Sequence, residues 1–83
     1  MVDWNRFIPS DFEYDFEIDK LSQHGIRFEE AVECFFGDFE IRRNKSFPDR
    51  YQLIGETAAG RTLKIIFQLK KSGIVRIITG WDV

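Results

Sequence analysis

Residues 50–80, RYQLIGETAAGRTLKIIFQLKKSGIVRIITG, decide the fold. They contain three β-rich runs, at Arg50–Glu56, Thr62–Lys70 and Ile74–Gly80. The connections at 58–60 and 71–73 are short, and each ends in a glycine, which takes the positive φ that hairpin turns require. A shorter run at 39–43 precedes them, separated by a loop at 44–49. Consecutive strands joined by tight turns predict a four-stranded antiparallel meander.

Alternation along these runs assigns the side chains to two faces of the sheet. The apolar positions share one face: Phe39, Ile41, Tyr51, Leu53, Leu63, Ile65, Phe67, Leu69, Val75 and Ile77. The opposite face receives Arg42, Arg50, Gln52, Lys64, Gln68, Lys70 and Arg76, with Ile54, Ile66 and Ile78 among them. Because an apolar face must be buried, we expect helices on the first face and an open cationic face on the other.

The segment before the sheet leaves two alternatives. Residues 11–19, DFEYDFEID, alternate acidic and apolar residues without a break, which predicts a strand. Asp, however, is a poor strand residue and a good helix N-cap. A glycine at position 25 is also typical of the end of a helix. We therefore favour a short strand near Phe12–Tyr14, followed by a helix that Asp15 caps and that runs to about Gln23.

A second helix is predicted for residues 27–36. Its apolar residues recur at i, i+3, i+4, i+7 and i+8 and form one stripe: Phe28, Ala31, Val32, Phe35 and Phe36. Glu29 and Glu30 lie in the first turn, where the helix dipole favours anions. The predicted fold class is therefore α+β, with two N-terminal helices packed on one face of the antiparallel sheet.

The 83 residues are predicted to form one domain, with an extended arm at 1–10, a helical part at 11–37 and the sheet at 38–83. A chain of this length buries only about 60–65% of its unfolded surface, so it needs a dense core. The 16% aromatic residues and the single Cys34 are expected to supply that core, and one cysteine excludes an internal disulfide. Neither a membrane span nor a signal peptide is visible, so a cytoplasmic protein without membrane contact is predicted.

Charge is divided between the two halves of the chain. Residues 1–40 carry eleven Asp or Glu and three Lys or Arg, a net charge of −8. Residues 41–83 carry nine Lys or Arg and three Asp or Glu, a net charge of +6. This asymmetry favours a polyanionic partner for the basic half. The alternative is that the two halves pack together and neutralise each other.

The residue types present favour phosphate chemistry on the cationic face. One histidine and one cysteine without ligand spacing predict no metal site, and the sequence has no glycine-rich nucleotide loop, so no cofactor is expected. His24 is the only histidine available as a base, and its place at a predicted helix end favours a structural role. Arginine and lysine neutralise phosphates, so the cationic face suits RNA. The alternative is an ordinary solvated face decorated with cations.

Several short motifs, in order along the chain, resemble those of the BrnT-type toxins. They are FEYD at 12–15, HGIRFEEA at 24–31 followed by Phe35, DRY at 49–51, GR-x-L at 60–63 and RIIT at 76–79. The resemblance covers about residues 12–80. It departs from the family pattern at Trp81, which occupies the position of a family arginine, and the C-terminal helix of the family is expected to be missing.

The resemblance implies a RelE-like fold and a type II toxin that cleaves RNA without a metal, with a cognate antitoxin as partner. It makes Arg50, Arg61 and Arg76 the candidate catalytic residues; Arg61, at a hairpin edge, could equally be structural. The same surface makes Arg42, Lys64, Lys70 and Trp81 candidate nucleic-acid-binding residues. Tyr51 or His24 could transfer protons, although alternation places Tyr51 on the covered face.

The alternative is a relative of that family that binds nucleic acid or a protein without catalysis, or a small structural domain. The exposed isoleucines favour a protein partner or a homo-oligomer.

Overall fold

The computed structural model describes residues 11–43 and 49–83. The predicted arm at 1–10 and most of the predicted loop at 44–49 lie outside these residues. Two α-helices and five strands follow one another in these residues: β1 (Asp11–Tyr14), α1 (Lys20–Gln23), α2 (Phe28–Glu33), β2 (Phe39–Arg43), β3 (Arg50–Glu56), β4 (Thr62–Leu69) and β5 (Ile74–Asp82). A short 3-10 helix, Lys71–Gly73, joins β4 to β5. None of the helices within these ranges is long and apolar enough to cross a membrane.

The sheet has five strands in the order β1-β5-β4-β3-β2. Strands β2 to β5 form the predicted antiparallel meander. The prediction of four strands is wrong, because β1 pairs in parallel with β5 and makes the sheet mixed. Residues 11–14 therefore belong to the sheet and not to a helical part. An edge strand tolerates the acidic residues of β1, since charged side chains also discourage pairing with other chains.

The predicted start of the first helix is wrong by four residues. Asp15 accepts hydrogen bonds from the backbone N–H groups of Glu17 and Ile18, at 3.1 and 3.2 Å, and so closes a turn. Asp19 is the N-cap of α1, and its Oδ1 accepts a 2.6 Å hydrogen bond from the Tyr14 hydroxyl. Burial, and then this hydrogen bond, raise the pKa of Tyr14 to about 12. The cap is thus fixed by a tyrosine of β1.

The predicted end of that helix is confirmed. Gly25 has a φ of 72°, and its N–H donates to the carbonyl of Ser22, while the N–H of Ile26 donates to the carbonyl of Leu21. This pair of bonds is the Schellman arrangement that follows a C-terminal glycine. It directs the chain from α1 into α2.

The face assignment is confirmed. Six of the ten apolar sheet residues are fully or nearly fully buried, and the other four, Phe39, Ile41, Tyr51 and Leu69, pack against them. From the helical side Leu21, Ala31, Cys34 and Phe35 complete the core, and burial raises the pKa of the Cys34 thiol to about 11. Of the five apolar residues predicted to form one buried stripe of the second helix, only Phe36 is exposed. Its exposed fraction is 63%, because α2 ends at Glu33.

An irregularity in β5 changes the alternation after Ile77. Phe67 is paired with Ile77, whereas Ile66 is paired with Thr79, so Ile78 is an extra residue opposite no partner of its own. Such a β-bulge reverses which later residues face the core. Gly80 consequently turns inward, where a Cβ atom would lie 2.7 Å from Ile65 Cδ1. Trp81 turns outward, opposite Lys64.

Candidate functional site

Three polar side chains form a row across the open face of the sheet. Gln68 of β4 is paired with Arg50 of β3 on one side and with Arg76 of β5 on the other. Directly paired residues in antiparallel strands project to the same face, and neighbouring strands lie about 5 Å apart. The side chains of Arg50 and Arg76 therefore flank that of Gln68, and the Cα atoms of the two arginines are roughly 10 Å apart.

The chain between β1 and α1 borders this row and converts it into a groove. Asp15, Ile18 and Lys20 line it together with Arg50, Gln68 and Arg76. Ile78, the extra residue of the bulge, also contributes to the lining. The enclosed volume is about 250 Å³, and we call this feature the arginine groove.

The arginine groove is cationic and has acidic groups at its margins. Arg76 is exposed and has no acidic partner within hydrogen-bonding distance among residues 11–43 and 49–83. Gln68 Nε2 donates a 2.6 Å hydrogen bond to Asp49 Oδ2, which fixes the orientation of its amide. Together with Lys20, the arginines place three positive groups in the lining of the groove.

The other predicted cations lie on the same face but outside the lining of the groove. Lys70 Nζ forms a 3.0 Å ion pair with Glu13 of β1. Arg42 is exposed on the edge strand β2, in the register row of Gln52. Lys64 lies four residues from Gln68 along β4, a separation of about 13 Å. Of the three, Lys70 is nearest to the groove, since it follows Gln68 by two residues and its partner Glu13 is paired with Arg76.

Arg61 lies on the helix-covered side of the sheet, because residues two apart in an extended segment share a face and Leu63 is buried on that side. Its Nε and Nη2 atoms donate to both carboxylate oxygens of Asp82, at 2.6 and 2.9 Å. Its Nη1 donates to the Gly25 carbonyl at 3.1 Å and to Glu30 at 3.2 Å. The structure thus separates Arg61 from Arg50 and Arg76, and places it in a cluster that joins the hairpin, α2 and the end of β5.

This cluster shifts the titration of both acids. The pKa of Asp82 is lowered, chiefly by the hydrogen bonds from Arg61. The pKa of Glu30 is lowered by a hydrogen bond from the backbone N–H of Arg27, and further by the Arg61 guanidinium. The pKa of Arg61 itself is raised, mainly by its hydrogen bonds to Asp82.

Neither predicted proton-transfer residue lines the arginine groove. Tyr51 stacks on Phe67 on the helix-covered side, with ring centroids 5.6 Å apart. The ring of His24 lies 6.1 Å from that of Trp81, at the far end of β5. The ionisable groups that do line the groove besides the arginines are Asp15 and Lys20.

Sequence reasoning missed Asp15 and Lys20 as site residues. Their position depends on β1 pairing with β5, which carries the following segment along the open face. No local pattern encodes that pairing, since the two strands are about sixty residues apart in the chain. Within the part of the chain that the structure describes, no group of three His, Cys, Asp or Glu side chains is placed so that it could hold a metal ion.

The fold is shared with a known toxin. The chain superimposes on the crystal structure of the Brucella abortus ribonuclease toxin BrnT with a TM-score of 0.63 and 19% identity, over 88% of this chain and 95% of that one. No protein-family model and no curated protein matches the sequence. The predicted likeness to the BrnT-type toxins is therefore confirmed as a likeness of fold.

Proposed function

We propose that this chain is a ribonuclease toxin of a toxin–antitoxin pair and that it acts on RNA in the arginine groove. The observation that carries the proposal is the register row of Arg50, Gln68 and Arg76 inside a groove. Its support from outside the chain is the shared fold with a ribonuclease toxin. A cognate antitoxin is proposed as partner on the same likeness.

The arginine groove suits a single RNA phosphate. Guanidinium groups bind phosphate oxygens in bidentate fashion and keep their charge at any working pH. The side chains of Arg50 and Arg76 are long enough to meet above Gln68, which stands between them in register. Lys20 adds a third positive group to the lining of the groove.

The reaction we propose uses the substrate's own ribose. The 2′-oxygen attacks the adjacent phosphorus, the bond from phosphorus to the 5′-oxygen breaks, and a 2′,3′-cyclic phosphate and a 5′-hydroxyl result. The proton of the 2′-OH passes to the Asp15 carboxylate, and Lys20 supplies a proton to the departing 5′-oxygen. Arg50 and Arg76 stabilise the charge that develops on the phosphoryl oxygens, which is commonly the largest contribution.

The remaining cations have auxiliary roles in this proposal. Arg42 and Lys70 attract the RNA backbone electrostatically, and Lys70 does so less because Glu13 neutralises it. Arg61 stabilises the fold through Asp82 and Glu30 and does not touch the phosphate.

The proposal is tested by cleavage of a single-stranded RNA oligonucleotide by the purified protein. We expect Arg76→Ala to lower the cleavage rate about a hundredfold, and Arg76→Lys to lower it less. Arg43→Ala is the matched control, since Arg43 is an exposed arginine that alternation assigns to the opposite face of the sheet. This substitution should change the rate less than twofold.

The same oligonucleotide with 2′-O-methyl groups should remain intact, and the cut RNA should carry 5′-hydroxyl ends. Equal losses in Arg76→Ala and Arg43→Ala would contradict a specific role for the arginine groove. Cleavage of the 2′-O-methyl oligonucleotide would contradict attack by the ribose.

A second candidate function is RNA binding without cleavage. It is favoured by the positions of His24 and Tyr51, both of which lie outside the groove. Salt-sensitive binding of the RNA that Arg76→Ala weakens, without any turnover by the wild-type protein, would support this function over the first.

A further inference from the structure

The bulge at Ile78 gives Trp81 a position that simple alternation would deny it. Ile77 is buried, and residues 79 and 81 would share its face in a regular strand. The extra residue reverses this, so that Trp81 is paired with Lys64 on the open face. Bulges commonly re-aim a side chain near a functional site. The geometry thus brings a large aromatic ring onto the same face as the arginine groove.

The ring has the surroundings of a stacking surface. Trp81 is 37% exposed. The ammonium group of Lys64 lies 5.9 Å from the ring centroid, and the imidazole of His24 lies 6.1 Å away. A partly exposed indole beside a cation, here Lys64, is the arrangement with which proteins stack nucleobases of single strands. We call Trp81, Lys64 and His24 the tryptophan platform.

The distance between the two places matches a short stretch of RNA. Lys64 and Gln68 are four residues apart on β4, which is about 13 Å. An extended nucleotide covers roughly twice the 3.4 Å rise that it has in a duplex strand, so two nucleotides bridge the gap. Between the two places the face carries Ile66, which offers no charged obstacle; it is buried, at 9% exposure, so its predicted exposure is wrong.

We propose that the tryptophan platform stacks a nucleobase of single-stranded RNA about two nucleotides from the phosphate held by Arg50 and Arg76. This inference rests on the proposed function, since it takes the arginine groove as the phosphate site. It makes Trp81 a specificity determinant for unpaired RNA, because a base in a duplex cannot leave its stack without an energetic penalty. Lys64 then neutralises the phosphate next to the stacked base.

The test is equilibrium binding of 2′-O-methyl oligonucleotides, which cannot be cut by the proposed reaction. Three ligands are compared: a dinucleotide, a hexanucleotide, and a hexanucleotide in which all bases are removed. Wild-type protein is compared with Trp81→Leu, Trp81→Phe and the control Arg43→Ala. We expect Trp81→Leu to weaken hexanucleotide binding about tenfold and Trp81→Phe to weaken it less. Binding of the dinucleotide and of the base-free hexanucleotide should change less than twofold.

Three outcomes overturn the inference, and a fourth overturns only the proposed cleavage. Equal affinity of Trp81→Leu and wild type for the hexanucleotide excludes base stacking, as expected if Trp81 contacts a protein instead. An equal loss for the base-free ligand assigns the effect to charge or fold. If the wild-type protein binds none of the ligands, the proposed function fails as well. Binding with the expected Trp81 effect but without RNA cleavage would retain the platform and reject only the catalytic part of the proposed function.

Discussion

Arg61 and Arg76 carry the same guanidinium group in opposite surroundings. Arg61 donates to Asp82, Glu30 and the Gly25 carbonyl, so its donors are used within the fold. Arg76 is exposed in the arginine groove beside Gln68. A group whose donors are satisfied internally cross-links the protein, whereas an exposed one can bind an external anion. Substitution of Arg61 should therefore lower the stability of the fold, whereas substitution of Arg76 should lower the rate of RNA cleavage.

We expect Arg61→Ala to lower stability in a way that depends on pH. The folded-state pKa values of Glu30 and Asp82 lie below their ordinary values of 4.5 and 3.8. A carboxylate with a lowered pKa stabilises the fold fully above its ordinary value, and this contribution is lost as the pH falls below it. Wild-type melting temperature should thus fall as the pH drops from 5 to 3, and the fall should be shallower in Arg61→Ala.

Melting curves by circular dichroism between pH 3 and 7 measure this difference. The contrasting variant is Arg76→Ala, which should melt at the wild-type temperature at every pH. A melting temperature of Arg61→Ala equal to wild type at pH 7 would show that the cluster does not stabilise the fold.

For single residues, the sequence predicts on which face of the sheet a side chain lies. Alternation assigned Arg50 and Arg76 to the open face and Tyr51 to the covered one, as the structure confirms. The same alternation places Arg61 on the face of Leu63, but its position at a hairpin edge left its role open in the sequence. Its acidic partners could not be predicted, because Glu30 and Asp82 come from distant parts of the chain.

Strand β5 shows how an element departs from its own pattern. Its bulge turns Gly80 toward the core, where α1 packs closely on the strand. A Cβ atom at position 80 would lie 2.7 Å from Ile65 Cδ1, 2.9 Å from the Lys64 carbonyl oxygen and 3.2 Å from Leu21 Cδ2. Glycine is required here because the neighbouring strand β4 lies closest to it, with Leu21 of α1 next, and not for its own backbone angle.

We expect Gly80→Ala to destabilise the protein by about 1–3 kcal/mol, because the added methyl group overpacks the core and pushes on backbone as well as side chains. Gly37→Ala is the control, since a Cβ atom at Gly37 meets nothing within 4 Å. It should change the free energy of unfolding by less than about 0.5 kcal/mol. Urea denaturation of the three proteins measures both values. A Gly80→Ala variant as stable as wild type would contradict the close packing of Ile65 and Lys64 of β4, and of Leu21, around position 80.

Elements could be predicted where their pattern is local. The bounds of β2 and β3 are those expected, and β4 differs by one residue. Two features could not be predicted, namely the parallel pairing of β1 with β5 and the bulge. Both depend on partners far along the chain, and both act on the site: the first brings Asp15 and Lys20 to the groove, and the second brings Trp81 to the open face.

At the scale of the whole molecule, the divided charge is only partly neutralised internally. Ion pairs join the acidic and basic halves at Glu30–Arg61 and at Glu13–Lys70. These contacts agree with the alternative that the halves pack together. The arginine groove nevertheless collects cations from both halves, since Lys20 lines it together with Arg50 and Arg76. A groove with this balance attracts anions.

The most direct test of the account follows the arginine side chains by NMR while RNA binds. The Nε–Hε signals of ¹⁵N-labelled protein are recorded during titration with the 2′-O-methyl hexanucleotide. Our account predicts that the signals of Arg50 and Arg76 shift and saturate together, while those of Arg43 and Arg61 stay in place. Saturable shifts at Arg43 or Arg61, with Arg50 and Arg76 unchanged, would contradict the assignment of the arginine groove as the place where RNA phosphate binds.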